Sequence, residues 1–313
     1  MNILITGAEG FVGRNLAELF LKKKYAVLFP KVNELDLTDS VAVEKYFKNN
    51  SIETIVHCAT VLRDGTNYPA GTCEKNLRMF FNLQKYMTSS MKMINLGSGS
   101  EYVRAYWHKK MPEEYFASHI PEDSHSYAKY LISKYIQEID EENTICLRIF
   151  GIYGKYENYR YKFISNAIVK NLLNMPIVIN QNVIYDYLYI TDFFRIVEYF
   201  VNNKAKNRIF NATPTESIDL LTIANLINKV SESKSEIHVL NEGIGVEYSG
   251  DNSKLLSEIG NFQFTSHEAA ISDLFKYYKD IKDTLDVSSV KQDVYLKYAK
   301  KLHADYFSKK NEK

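Results

Sequence analysis

The sequence is short of cysteine, of any charge excess and of long apolar runs, and each shortage removes a class of protein. Three cysteines, Cys58, Cys73 and Cys146, stand at spacings that suit neither a disulfide framework nor a metal site, which leaves them as core thiols. Over 313 residues, 39 basic against 38 acidic side chains leave a net charge of +1. That balance argues against a nucleic-acid partner, because such surfaces carry a basic excess. No apolar run approaches the roughly 20 residues of a membrane helix, so no membrane partner is expected. The glycine-rich stretch that opens the chain leaves no room for a signal peptide, so a cytoplasmic location is expected. What the chain has in excess is aromatic: 24 tyrosines and 17 phenylalanines suggest many half-buried aromatic positions rather than one site. A chain of this length buries a large core, in one large or two closely joined domains.

The opening stretch, MNILITGAEGFVG, organises the rest. Asn2 to Thr6 is a short apolar run with β-branched members, as in a buried strand. Gly7, Gly10 and Gly13 follow at G-x-x-G-x-x-G spacing, and Arg14 to Leu21 has helical character. In such a turn one glycine permits the reversal, one lets a pyrophosphate approach the backbone and one lets helix and strand lie close. The strand before and the helix after make this a dinucleotide site rather than a bare glycine turn.

Tyr25 to Phe29 reads as the second strand. An NAD site usually carries an acid near the end of that strand, for the ribose 2′-hydroxyl. Here the strand runs into Phe29-Pro30-Lys31, and Arg14 follows the last loop glycine. Cations there favour the extra phosphate of NADP(H), with NAD(H) the alternative. A helix at 39–49, capped by Asp39 or Ser40, precedes a buried strand, Thr54 to Ala59. His57 within that strand reads as a satisfied core histidine. A helix from Lys75 to Ser89 and a strand from Lys92 to Gly97 come next. Strands alternating with helices at this spacing imply an α/β fold with a doubly wound parallel sheet, a Rossmann fold.

TGAEGFVG at 6–13, ELDLTD at 34–39, HCAT at 57–60, LGSGSEY at 96–102, CLRIFGIYG at 146–154 and DYLYITD at 186–192 together resemble the extended short-chain dehydrogenases/reductases. These are the nucleotide-sugar epimerases, dehydratases and reductases. The short path to ELDLTD, Asn67 to Ala70 and LGSGSEY are similar to the GDP-fucose synthase and dTDP-4-dehydrorhamnose reductase branch. The resemblance implies reduction of a keto group on a nucleotide-diphosphate sugar by NADPH, in making an activated sugar for surface polysaccharide. Its alternatives are an epimerase or dehydratase that retains NAD, and a catalytically weakened dinucleotide scaffold. No Asp-Glu pair follows Ser98, where dehydratases have one. Carried onto this chain, the family's cofactor contacts are Thr6, Gly7, Gly10, Phe11, Val12, Gly13, Arg14, Lys31, Asp36, Leu37, Ala59, Thr60, Asn76, Lys129, Phe150 and Ile152.

The family's catalytic set is a Ser or Thr, a Tyr and a Lys. Ser98 matches the first by position. In Asp123-Ser124-His125-Ser126-Tyr127-Ala128-Lys129-Tyr130-Leu131-Ile132-Ser133-Lys134, two registers suit the Tyr-x-x-x-Lys spacing: Tyr130 with Lys134, or Lys129 with His125 at the tyrosine position. At about 100° per residue, 125 and 130 point roughly 140° apart on a helix, so the pairs exclude one another. Lys129 is favoured, because a helix counted from it has about three turns left to recross the sheet before Glu141-Glu142-Asn143. His125 then serves as proton donor, with Tyr127 or Ser100 as substitutes, or the site is weakened, or His125 only packs the helix start. A histidine with an ordinary pKa near ~6.5 suits the task, although a lysine ammonium beside it depresses that value.

For the sugar nucleotide, Ser100, Arg160, Lys162, Asn166 and Tyr185 are the candidates, and no metal ligand is seen. Relatives often carry an arginine where Tyr185 stands. The resemblance divides the chain into a dinucleotide domain (1–154 and 183–214), a substrate domain (155–182 and 215–283) and a helical extension (284–313), with a basic helix from Val290 to Phe307. It also implies a homodimer through helices at 75–89 and 125–140.

Overall fold

The computed structural model describes residues 1–63, 67–139 and 143–301. Its strands are β1 (Asn2–Thr6), β2 (Ala26–Leu28), β3 (Thr54–His57), β4 (Lys92–Ser98), β5 (Thr144–Ile149), β6 (Gly151–Tyr153), β7 (Ile177–Asn182), β8 (Ile184–Tyr185), β9 (Tyr187–Tyr189), β10 (Ile209–Ala212), β11 (Ile218–Asp219) and β12 (Ile237–Ile244). The helices are α1 (Phe11–Lys22), α2 (Ser40–Asn49), α3 (Thr72–Gln84), α4 (Ser124–Glu138), α5 (Phe163–Leu172), α6 (Ile190–Asn202), α7 (Leu220–Val230), α8 (Ser253–Ile259), α9 (His267–Asp280) and α10 (Val287–Lys291).

Six strands form one parallel sheet in the order β10-β5-β4-β3-β1-β2, with β7/β12, β8/β11 and β6/β9 paired in small sheets. Ile3, Leu4 and Ile5 of β1 are all fully buried. Such continuous burial needs helices on both faces, as expected of a doubly wound sheet. On one face α2, α3 and α4 cover Leu4, Ile55 and Met93. On the other, Leu16 and Phe20 of α1 and Phe193 and Val197 of α6 cover Ile3, Ile5 and Ile94. The strand order reverses at β1/β3, and the crevice outside their carboxyl ends is where an open α/β sheet binds ligands.

Asp39 caps α2 and Asp123 caps α4, each carboxylate accepting from backbone amides of the first turn. The DYLYITD motif at 186–192 spans the end of a strand and the start of a helix, β9 stopping at Tyr189. Helix α6 begins at Ile190, so Asp192 lies in its first turn, where its carboxylate accepts from Arg195 and from the amide and hydroxyl of Thr265. The final segment folds back onto the core: Leu285, Val290 and Tyr295 are buried, and Lys170 of α5 reaches Asp293 at 2.7 Å. Residues 294–301 are helical, and the rest of the expected basic helix, to Phe307, lies outside the described residues, as do Glu141 and Glu142.

Candidate active site

The glycine loop is packed too closely for side chains. Gly7 has φ +66, and a Cβ on it would come within 2.7 Å of Ala59 Cα; one on Gly13 would meet the Gly7 carbonyl oxygen at 2.4 Å. Gly10 ends the loop as N-cap of α1 and offers no side-chain cap. The first amides of α1, those of Phe11, Val12 and Gly13, are therefore left for an anion. A dinucleotide pyrophosphate suits this cradle.

Thr6 ties the ends of β1 and β3 together. Its hydroxyl oxygen accepts from the amides of Cys58 and Ala59 at 3.1 and 3.2 Å and lies 2.9 Å from His57 Nδ1. With two donors on the oxygen, the Thr6 proton goes to His57. Burial and then the Lys129 ammonium push His57 down to about 3, so this histidine is a neutral core group. Asn76 accepts from Val61 N at 2.8 Å and from the Thr60 hydroxyl at 3.3 Å, fixing the backbone after β3. Asp36 closes on the amide and hydroxyl of Thr38, and Leu37 is in the core.

The second-strand region differs from the sequence reading in one respect. Arg14, expected beside Lys31, is held elsewhere: its guanidinium lies 3.7 Å over the Tyr156 ring and 3.2 Å from Glu18. Lys31 is exposed, and next to it Glu9 of the glycine loop accepts from Val32 N at 3.0 Å. Glu9, between the loop glycines, was not among the site residues expected from the sequence.

Ser98 ends β4. Its Oγ lies 2.9 Å from Ser100 Oγ and its amide donates to Glu101 at 2.8 Å, while the Tyr248 hydroxyl packs against the next residue, where a Cβ on Gly99 would come within 2.7 Å of it. Behind it Arg148 and Glu101 form a fully buried pair at 2.7 Å, and Arg148 also donates to the Tyr102 hydroxyl. Phe150 packs against Tyr102, Trp107 and Tyr248, while Ile152 lies against the main core.

Helix α4 separates the two lysine registers. Lys134 is half exposed and paired with Glu138, and Tyr130 is buried against Phe116. Lys129 is buried, and its ammonium donates to the Leu96 carbonyl at 2.6 Å on the strand that carries Ser98. No carboxylate pairs with it among the described residues, and burial lowers its pKa. One turn earlier, His125 stacks on Tyr68, with centroids 4.7 Å apart and planes within 4°. His125 Nδ1 is buried without a partner among the described residues. Burial and then Lys129 push this imidazole, too, down to about 3. Tyr127 is not brought to the site: it lies roughly 200° round the helix from both residues and is 38% exposed.

Of the substrate candidates, Ser100 is at Ser98 and Tyr185 lies on the cleft wall, accepting from Arg104 at 3.1 Å. Arg160 and Lys162 are exposed, and Asn166 is buried with its amide spent on the Tyr159 carbonyl. The structure adds residues without a sequence signal: Arg104 and Tyr248 from separate loops, and Arg63, which stacks over Tyr68 at 4.5 Å and is hydrogen-bonded to Tyr298 of the final segment.

The model of the NAD dependent epimerase/dehydratase family matches residues 3–213. GDP-L-colitose synthase of Yersinia pseudotuberculosis is 23% identical over 306 residues, covering 90% of this chain and 99% of that protein. GDP-6-deoxy-D-talose 4-dehydrogenase of Aggregatibacter actinomycetemcomitans is 24% identical over 297 residues, covering 88% and 97%. Among solved structures, a GDP-L-fucose synthetase from Naegleria fowleri bound to NADP superposes with a TM-score of 0.79 at 16% identity, covering 90% of this chain and 94% of that one. With the family model spanning well over half its length, and the glycine loop and Ser98 set at strand ends of one parallel sheet with Lys129 of α4 bonded to it, this chain belongs to the NAD-dependent epimerase/dehydratase family.

Proposed function

We propose that this protein is an NADPH-dependent reductase acting on the keto group of a nucleotide-linked sugar. The observation that carries the reading is the Lys129 ammonium, buried without a carboxylate, bonded to the strand of Ser98 and one turn after His125. The two curated relatives, which span nearly their whole length on this chain, are named for GDP-sugar chemistry.

When bound, the dinucleotide supplies the hydride. The glycine loop and the first amides of α1 hold its pyrophosphate, and Lys129 holds a ribose hydroxyl. At the other end, Ser98 hydrogen-bonds the sugar carbonyl oxygen and stabilises the charge that grows there. His125 is neutral at pH 7, so it polarises the same oxygen as a hydrogen-bond donor rather than as an imidazolium. Solvent supplies the proton that completes the new hydroxyl, and the Ser100 and Ser98 hydroxyls relay it, each passing one proton on and taking one up. The aromatic walls and Lys162 face the sugar nucleotide. A homodimer through α3 and α4 belongs to the same proposal, supported by Phe81, which is 41% exposed on α3.

A second reading, an epimerase that retains NAD, is favoured by Glu9, whose carboxylate stands beside Lys31 and suits a ribose 2′-hydroxyl. Titration with NADPH and NADH, with mass spectrometry of small molecules that copurify, separates the two. Selective, exchangeable NADPH binding and turnover of a GDP-4-keto sugar support the reductase. Tightly held NAD moves the reading to the epimerase, and binding of neither leaves a degenerate scaffold.

A further inference from the structure

Arg104 stands in an unusual position for an arginine. It follows Val103, a β-branched residue held at φ +62, ψ +105, a backbone conformation that such a side chain rarely adopts. That backbone turns Arg104 into the cleft between Tyr185, Trp107 and Tyr248. Its Nη2 donates to the Tyr185 hydroxyl at 3.1 Å, and its guanidinium carbon lies 5.7 Å from the Trp107 ring and 5.8 Å from the Tyr248 ring. The Tyr248 hydroxyl in turn packs against Gly99, the residue after Ser98, where a Cβ would meet it at 2.7 Å. The guanidinium thus sits one residue away from the hydroxyl cluster assigned to the reacting carbonyl.

The charge has no ion pair among the described residues, unlike Arg148, which is locked on Glu101. Of five guanidinium donors, one is engaged by Tyr185, and a planar fork with free donors in a half-buried aromatic cleft matches two adjacent anionic oxygens. Tyr185, on the strand, brings no cation to the cleft wall, and the loop after β4 brings one.

We infer that Arg104 is the principal contact of the substrate's diphosphate, a binding residue supplied by the loop after Ser98 and steadied by the Tyr185 hydroxyl. The inference rests on the nucleotide-sugar reading for the identity of the anion. The aromatic faces of Trp107 and Tyr248 lower the local dielectric and hold the fork in one plane, so a lysine there would present only a point charge.

Calorimetric titration of GDP, UDP and dTDP, with guanosine as the uncharged probe, tests this on the wild type, Arg104→Ala and Arg104→Lys. The substitution to Ala is expected to weaken the best nucleoside diphosphate by ten- to a hundredfold, and the Lys form by an intermediate factor. Guanosine binding, NADPH binding and the melting temperature are expected to stay unchanged. Under turnover, KM for the sugar nucleotide rises far more than kcat falls. Nucleoside diphosphate affinity within twofold of wild type in Arg104→Ala overturns the inference and leaves the reductase reading standing. Equal weakening of guanosine also overturns it, because the loss is then not one of charge. Wild-type protein that binds none of the three overturns both. A thirtyfold loss in a protein that reduces no keto sugar keeps Arg104 as an anion site and removes the reductase reading.

Discussion

Replacing Lys129 with methionine separates what this side chain does for the fold from what it does for chemistry. Methionine fills a similar channel under β4 without the charge. Two structural terms oppose one another. The Leu96 carbonyl loses its donor, which costs about 1–3 kcal/mol for a buried group. Against that, the ammonium is buried with no carboxylate partner among the described residues, and its lowered pKa reports that burial outweighs what its neighbours return. Removing such a charge recovers a few kcal/mol. The expected net change in stability is therefore small, within about 2 kcal/mol of zero. Activity behaves otherwise: on the proposed role of Lys129 in holding the cofactor beside His125, its loss is expected to lower kcat/KM by roughly 10²–10⁴. The Lys129 charge is also the second cause of the low pKa of His125, so that pKa is expected to rise in the variant. Single-turnover oxidation of NADPH, urea unfolding and the histidine NMR titration read the three quantities separately. Turnover within tenfold of wild type at saturating cofactor refutes the catalytic assignment. A stability loss above about 4 kcal/mol refutes the view that the charge is uncompensated.

The remaining expectations concern other parts of the molecule. In Gly13→Ala the new Cβ would stand 2.4 Å from the Gly7 carbonyl oxygen, a backbone atom, so the loop must open. Dinucleotide affinity is expected to fall more than tenfold, with about 1–3 kcal/mol of stability, as calorimetry and unfolding would show. Stability should also decline in mild acid. His57 and His125 are held at about 3 in the fold against an ordinary value near 6.5, so their contribution is complete above pH 6.5 and fades below it. Glu157, pushed up to about 7 by burial, acts with the opposite sign, gaining stability as pH falls from 7 towards 4.5. His267, also lowered by burial, adds to the two histidines and Glu113, raised by burial, adds to Glu157, and Glu157→Gln should steepen the decline between pH 6.5 and 4.5 by about 1.4 kcal/mol per pH unit in urea titrations. A flat profile refutes the burial of both histidines. Asp293→Ala leaves the Lys170 ammonium, 2% exposed, without its carboxylate and is expected to cost about 3–5 kcal/mol despite its place in the final segment. Loss below 1 kcal/mol would show that the segment is not docked.

How much of this was legible in the sequence follows from the range over which each feature is encoded. The glycine loop was readable because strand, turn and helix are contiguous and each glycine answers a steric need within thirteen residues. The short reach of the helix past Lys134 was readable too: α4 ends at Glu138, one turn past Lys134, which is half exposed and paired with Glu138. The alternation of strands and helices likewise carried the parallel sheet. Other readings failed where a side chain had more than one partner to choose from. Arg14 was set beside Lys31 by proximity to the loop, but a ring more than 140 positions along the chain, Tyr156, takes it. Nothing local announces that α6 starts at Ile190 or what Asp192 is for, because its partner Thr265 arrives from a distant loop.

The aromatic excess carries the same lesson further. Composition suggested scattered half-buried tyrosines, and in the fold many are that: Tyr25, Tyr46 and Tyr199 lie along helices and sheet edges. Several others meet in one place. Tyr185 stacks beside Tyr187 at 5.2 Å and lies edge-on to Tyr248 at 5.9 Å, while Tyr68 stacks on His125 and Tyr298 closes on Arg63. These residues come from five separate segments with no shared periodicity, so no window of sequence contains them together. Their common property is a rigid apolar face with one hydroxyl, which suits a cleft that must exclude water yet hold two arginines. The surplus of tyrosine is therefore a feature of the candidate site as well as of the core. Its placement could not be read from the chain, because the loops that assemble it are brought together only by the sheet on which the more local signals depend.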